Sequence, residues 1–346
     1  MNAVLQSPNT SRERWLGASV NDRIKAIKSM YIAHSDLLNA ESVIENKIFE
    51  IEGAHSFDDE HFQYLETATY GSGILMIGES GAGKSTFAGR LLARRSPQRT
   101  DTETYLPAVY MRIPSGPTER SMGDALLDAM GHPERSGTAD QLRIRCIHLM
   151  RKCRVRMLII DDFQDIPASR TKGIKTLGDW LRRIIDGAPC LVVALGTPSA
   201  AVVRDSNEQL MRRMQATARI LPFSVEGTGA VDKAATKATL SRWCKLMAAV
   251  DAELPMARES SLADTDLALR LLMGSNARFG HLSKLLLHGI KVAVASGSER
   301  MERAHLCEAF RHTFGSAADR GNPFDDDYEG ESLTRPGQAF DRTNAA

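Results

Sequence analysis

The sequence predicts an α/β protein: a parallel β-sheet with helices on both faces, followed by a small all-helical domain. Apolar runs at 73–77, 108–113, 157–160, 191–195 and 219–223 alternate with stretches of helical period, a pattern that needs right-handed crossovers between parallel strands. The first run passes through a glycine-rich turn directly into a helical pattern, "GILMIGESGAGKSTFAGRLL". Strand signals stop beyond 227–229, and segments 233–250, 264–273, 279–295 and 303–310 then follow at helical spacing.

Taken in order, residues 1–54 read as an N-terminal helical extension, in which a polar stretch over 1–18 precedes Ile24, Ile27, Met30 and Tyr31 at helical spacing on one docking face. Residues 55–226 form the nucleotide-binding α/β core and 227–312 the helical lid. Residues 313–346 are rich in Gly, Asp and Ser with few aliphatics, so they are expected to be a disordered acidic tail that cannot offset the entropy of folding. A chain of 346 residues suits this division. Net charge is +1 with 25% charged residues, so any nucleic-acid contact must come from a local patch. The five cysteines are scattered without CxxC spacing, which points to reduced thiols and away from a zinc site. With no leader pattern and no apolar run approaching ~18 residues, the expectation is a cytoplasmic protein without membrane contact.

The chemistry begins at Gly78-x-x-x-x-Gly83-Lys84-Ser85, the spacing of a phosphate-binding loop between strand and helix. Across Gly78, Glu79, Ser80, Gly81, Ala82 and Gly83 the glycines allow positive φ, which turns backbone N–H groups inward toward a β-phosphate at the positive end of the next helix. Lys84 then reaches the β and γ oxygens and Ser85 offers its hydroxyl to Mg²⁺, while Thr86 sits beside them without reaching the same position. The loop is expected to bind a nucleoside triphosphate. "MLIIDDFQDI" supplies two acids after an apolar strand, about 75 residues on. Asp161 is expected in the Mg²⁺ shell, and Asp162 as the acid that polarises the attacking water. Thr197 closes the next strand, where it can sense the γ-phosphate or serve as an ordinary turn former. In "NEQLMRRM", Arg213 can reach a neighbouring subunit's γ-phosphate, with Arg212 as the alternative; a solvated helix face is the competing reading. Arg278, at the first turn of a lid helix, either contacts the nucleotide or is a surface arginine.

These residues resemble the AAA+ ATPases of transposition systems, the TniB group and its TnsC relatives, over roughly residues 15–312. The resemblance is carried by "GESGAGKST", "AVYMRIPSGPTERSMGDALLDAMG", "MLIIDDFQDI", "VVALGTPSA" and "NEQLMRRM" in that order. The chain departs from the family at Asp162, where glutamate is usual, and at Met214, where phenylalanine is usual; the shorter acid implies slower turnover. The resemblance implies an AAA+ fold, ATP and Mg²⁺ as cofactors, and a homo-oligomeric ring or filament on duplex DNA. It further implies a DDE transposase that is recruited or activated, and a target-selection adaptor. Under that implication, Arg135, Thr138, Arg143 and Arg145 in "GHPERSGTADQLRIR" can hold DNA phosphates at a helix start, and Arg151, Lys152, Arg154 and Arg156 follow in a basic run; a solvated helix face is the competing reading for both. Two other readings stay open: a kinase built on the same loop, and a scaffold that binds nucleotide without hydrolysing it.

Overall fold

The computed structural model describes residues 12–54, 71–166, 171–221, 223, 233–329 and 333–341. In chain order the helices and strands are α1 (Val20–Ser29), α2 (Ser35–Ala54), β1 (Ser72–Gly78), α3 (Lys84–Ala93), β2 (Gln98–Arg99), β3 (Thr104–Tyr105), β4 (Ala108–Arg112), α4 (Glu119–Ala129), α5 (Ala139–Lys152) and β5 (Met157–Asp161). There follow α6 (Thr171–Gly187), β6 (Leu191–Gly196), α7 (Ala200–Asp205), α8 (Glu208–Arg213), β7 (Ala216–Ile220), α9 (Lys233–Glu253), α10 (Thr265–Ser275), α11 (Phe279–Ala295) and α12 (Arg303–Phe314). They divide into an α/β unit, Ser35–Leu221, and a helical unit formed by Met1–His34 with Pro222–Ala346.

The α/β unit is built on a five-stranded parallel sheet in the order β4-β5-β6-β1-β7. Strands buried on both faces read as unbroken apolar runs, and Ile74, Leu75, Met76, Ile159, Ile160, Val192 and Val193 have essentially no exposure. Register aligns the carboxyl ends: Ile77 pairs with Gly196 and Arg112 with Asp161. One edge of the sheet therefore collects the residues that follow β1, β5 and β6, the edge where open α/β sheets bind ligands. Two helices start on reciprocal caps. Thr118 and Ser121 open α4, and Thr138 and Gln141 open α5, each satisfying N–H groups that a helix start leaves unpaired.

The helical unit has its own core around Trp243, Met247, Leu271, Leu285, Ile290 and Phe310. The Trp243 indole donates to the Ala268 carbonyl at 2.7 Å. Buried Asp251 accepts from the amides of Ser260 and Leu262 and pairs with Arg12.

Four expectations are corrected. The last strand runs over Ala216–Ile220 and not 219–223, because it pairs with β1 from Ile74↔Ala216 to Gly78↔Ile220. Phe223, which prolonged the apolar run, belongs to the helical unit, edge-on to Trp243 at 5.3 Å. The division therefore falls between Leu221 and Pro222 rather than at 226–227; residues 227–229 lie outside the described residues. The N-terminal extension is no single element: α1 joins the helical unit through buried Ile27 and Arg23, whose guanidinium donates to the Pro255 carbonyl at 2.7 Å, while α2 belongs to the α/β unit.

Residues 315–329 and 333–341, expected as disordered tail, pack on the helical unit. Phe324 and Leu333 are buried in its core, and Phe340 meets Phe314 edge-on at 5.1 Å. The acidic run finds cations: Asp325 pairs with Arg311 at 2.9 Å and Asp326 with Arg303, while Arg270 donates to the carbonyls of Pro323 and Asp325. A low aliphatic average conceals three well-spaced anchors. Phe324→Ala is expected to destabilise the helical unit by about 3–5 kcal/mol, read as a lowered denaturant midpoint at unchanged slope.

Candidate nucleotide site

The sequence places three glycines where β1 must turn into α3, and the backbone uses them. Gly81 and Gly83 take φ of 78° and 88°, conformations that cost a Cβ-bearing residue. A Cβ on Gly78 would stand 3.0 Å from that of Ile220 on β7. The loop so formed, Gly78 to Gly83, ends at the first turn of α3, whose amides have no intrahelical acceptors and so are available to an anion. Its flank residues Glu79, Ser80 and Thr86 are exposed, and Ala82 bonds back to Glu79 at 3.1 Å.

Lys84 lies across this loop, donating to the carbonyls of Gly78 at 2.7 Å and Glu79 at 3.0 Å. Burial lowers the ammonium's pKa, opposed by Asp161, Glu79 and Asp162. Ser85 donates its hydroxyl to Asp161 Oδ2 at 2.7 Å. Asp161 is 2% exposed, and hydroxyl plus carboxylate make a hard oxygen donor set of the kind Mg²⁺ takes.

Asp162 follows in a left-handed conformation, φ 58° and ψ 38°, which turns the chain into the short 3₁₀ segment Phe163–Asp165. Gln164 donates to Asp162 Oδ1 at 3.2 Å and accepts from the Thr197 amide at 3.1 Å. The Thr197 hydroxyl meets that of Ser199 at 2.7 Å. On β4, Tyr110 donates to Asp161 Oδ2 at 2.9 Å; Arg112 donates to the Tyr110 oxygen at 3.0 Å and stands 3.9 Å from Asp162. Burial, with Asp161 adding to it, pushes the Tyr110 phenol's pKa up and keeps it a donor. The structure thus joins Lys84, Ser85, Asp161, Asp162 and Thr197 along one sheet edge.

With that edge described, the likeness to known proteins has a place. Residues 59–221 match the family model described as the bacterial TniB protein. The match falls inside the α/β unit and spans a little under half of the chain. Among solved structures, the ORC2 protein of Aeropyrum pernix in ADPNP–ADP complexes is 13% identical with a TM-score of 0.54, over 83% of this chain and 71% of that one. The Cdc6p protein of Pyrobaculum aerophilum is 12% identical with a TM-score of 0.49, over 82% of this chain and 69% of that one. The A. pernix ORC1 protein in complex with DNA is 14% identical with a TM-score of 0.46, over 86% and 71%. The likeness to ORC2 shows the fold, which is of the AAA+ type. Curated proteins give no sequence match.

Within the α/β unit, the arginines read from sequence all have partners in their own chain. Arg213 pairs with Asp186 near the end of α6, a carboxylate also held by Arg182 at 3.2 Å, whereas exposed Arg212 pairs with Glu208 one turn back. Arg135 pairs with Asp128 at 2.7 Å, Arg143 with Asp140 at 2.8 Å, and Arg145 donates to the carbonyls of Glu134 and Ser136. Thr138 spends its hydroxyl on the Gln141 amide as the α5 cap. In the basic run, Arg151 donates to the Gly187 carbonyl at 2.6 Å and Arg156 pairs with Glu52 at 2.9 Å.

Arg278 belongs to the helical unit, not the α/β unit, exposed at the cap of α11 behind Asn276 and Ala277, both left-handed at φ 47° and 54°. No His, Cys, Asp or Glu cluster of metal-binding type occurs among the described residues, and no helix there is long and apolar enough to cross a membrane. All five thiols are free, and burial pushes Cys146 and Cys190 up to about 12.

Sequence reasoning passed over Tyr110, Arg112 and Gln164. The signal for the first two is the i, i+2 spacing in "VYMRI", which puts both on one face of β4; their relevance emerges once Arg112 is known to pair with Asp161 in register.

Proposed function

We propose that the α/β unit binds ATP with Mg²⁺ at this sheet edge and hydrolyses it, and that nucleotide state governs assembly of the chain on duplex DNA. The observation that carries the reading is the contact of Ser85 with Asp161 at 2.7 Å, beside a glycine loop capped by Lys84. On binding, the Lys84 ammonium exchanges two loop carbonyls for the β and γ oxygens, while α3 amides hold the β-phosphate. Ser85 and Asp161 would hold Mg²⁺, which supplies charge neutralisation between the phosphates. Asp162 orients the attacking water, and Thr197 meets the γ-phosphate from the end of β6.

The family relationship supports carrying this switch to transposition: the ATP-bound assembly recruits or activates a DDE transposase, aided by a target-selection adaptor, and hydrolysis disassembles it. Phosphate contacts by Arg135, Arg143 and Arg145 would require these side chains to exchange their present partners, so binding should be sequence-tolerant and steeply salt-dependent. Phosphate release measured with and without duplex DNA tests the reading: DNA-stimulated release is expected, and release that depends on a small phosphate acceptor instead would replace the ATPase with a kinase.

Arg213 is assigned to the neighbouring subunit's γ-phosphate. Arg213→Ala is expected to spare ATP binding and lower DNA-stimulated release, and mixing it with Lys84→Ala subunits should restore part of the activity. Loss of thermal stability without recovery on mixing would leave Arg213 only its in-chain role with Asp186, and the same mixing series with Arg212→Ala then tests its neighbour.

A further inference from the structure

We propose that Gln164 is a positioning residue that ties the acid Asp162 to the end of β6 at Thr197, so that the place of the attacking water follows the place of the γ-phosphate sensor. The inference rests on the hydrolytic reading above. Its geometry does not.

Gln164 sits in the turn after β5, between Phe163, which is fully buried, and Asp165. Its side chain spans two elements: Nε2 donates to Asp162 Oδ1 at 3.2 Å and Oε1 accepts from the Thr197 amide at 3.1 Å. The two partners fix the amide's orientation, because a backbone N–H can only donate and an ionised carboxylate can only accept. Few side chains satisfy both ends. Methionine offers neither function, asparagine is one methylene short, and an ionised glutamate accepts from Thr197 but opposes Asp162.

The neighbouring residue leaves room for this contact. A Cβ on Gly196 would stand 3.0 Å from Gln164 Oε1 and 2.5 Å from the Ala200 Cβ. Gly196 in turn pairs with Ile77 on β1, one residue before the phosphate loop. A displacement of Thr197 therefore reaches Asp162 through one amide. The second Nε2 contact, to Asp165 at 3.4 Å, is longer and points to solvent, so it does not compete for the role.

The variants Gln164→Met and Gln164→Glu separate positioning from packing. With Gln164→Met, ATP affinity and thermal midpoint are expected to stay near parental while kcat falls by ~10–10²-fold, the usual cost of losing a group that orients a reacting one. KM should move little. Gln164→Glu should show the same loss at neutral pH and recover as pH falls, because a protonated carboxyl reproduces the amide: its O–H donates to Asp162 and its C=O accepts from Thr197. Asp162 and Asp165 beside the introduced carboxyl favour its protonated form, opposed by Arg112 at 3.9 Å from Asp162, so the recovery is sought along the acidic limb of the profile. Each profile is read as a ratio to the parental protein, and Gln164→Met should show no such recovery.

Hydrogen exchange at the Thr197 amide gives a readout apart from activity and should quicken in Gln164→Met. Parental kcat in Gln164→Met, identical pH profiles for the two variants, or unchanged Thr197 exchange would each overturn the proposal. If the parental protein releases no phosphate, the hydrolytic reading falls, and Thr197 exchange still decides whether Gln164 holds the strand end.

Discussion

Lys84→Ala is expected to abolish ATP binding in the micromolar range, with affinity lowered by about 10²-fold or more. The ammonium already lies over the loop, 2.7 Å from the Gly78 carbonyl and 3.0 Å from that of Glu79, so it needs only to exchange neutral acceptors for anionic ones. Hydrogen bonds to charged groups contribute about 1.5–3 kcal/mol each, and two of them account for the stated loss at about 1.4 kcal/mol per decade. The loop itself should survive, because its turn is set by Gly81 and Gly83 and its exit by the bond from the Phe87 amide to the Gly83 carbonyl at 2.9 Å. Equilibrium binding of a fluorescent ATP analogue checks the result. Parental affinity in a folded variant would remove the phosphate loop from the mechanism.

Asp162→Asn should leave ATP and Mg²⁺ binding in place and lower hydrolysis by ~10²–10⁴-fold, the range attached to a positioned general base. Asp161, which holds Ser85 and Tyr110, is untouched. The asparagine oxygen can still accept from Gln164, so the turn after β5 keeps its tie. The contact with Arg112 at 3.9 Å lies between exposed groups, where water screens most of its value; folding should therefore be unaffected. Single-turnover phosphate release separates this outcome from weakened binding, and DNA complexes of the variant should persist longer in ATP. A parental rate would assign the water to another group.

The central strands were legible because each is buried on both faces, which leaves a continuous apolar run with no competing pattern. β7 was misplaced for the opposite reason. It lies at the sheet edge with only Ile220 buried, and the stronger apolar signal one step later belongs to Phe223 in another core. The phosphate loop and its two acids could be read from spacing, since strand, turn and helix fix their geometry locally. Tyr110, Arg112 and Gln164 could not be read so, because their role arises from strand register and from a contact between turns 33 residues apart in sequence. Residues 315–329 and 333–341 were misjudged by averaging: composition weighs every residue equally, whereas a core is entered by the few that are large and apolar.

That ordered C-terminal segment also bears on how binding partners are sought. Phe324, Leu333 and Phe340 face inward with α10, α11 and α12, and Asp325 and Asp326 are occupied by Arg311 and Arg303. A synthetic peptide covering 315–341, used as bait, would offer hydrophobic side chains and carboxylates that the intact chain keeps engaged. Hits from such a screen would report on an unfolded sequence and include spurious ligands. Truncation before Phe324 has the converse defect, since it strips the helical unit and exposes its core. The informative reagent is the full chain with charge reversed at residues that point outward, such as Asp327 or Glu329, both exposed and without a place in the core.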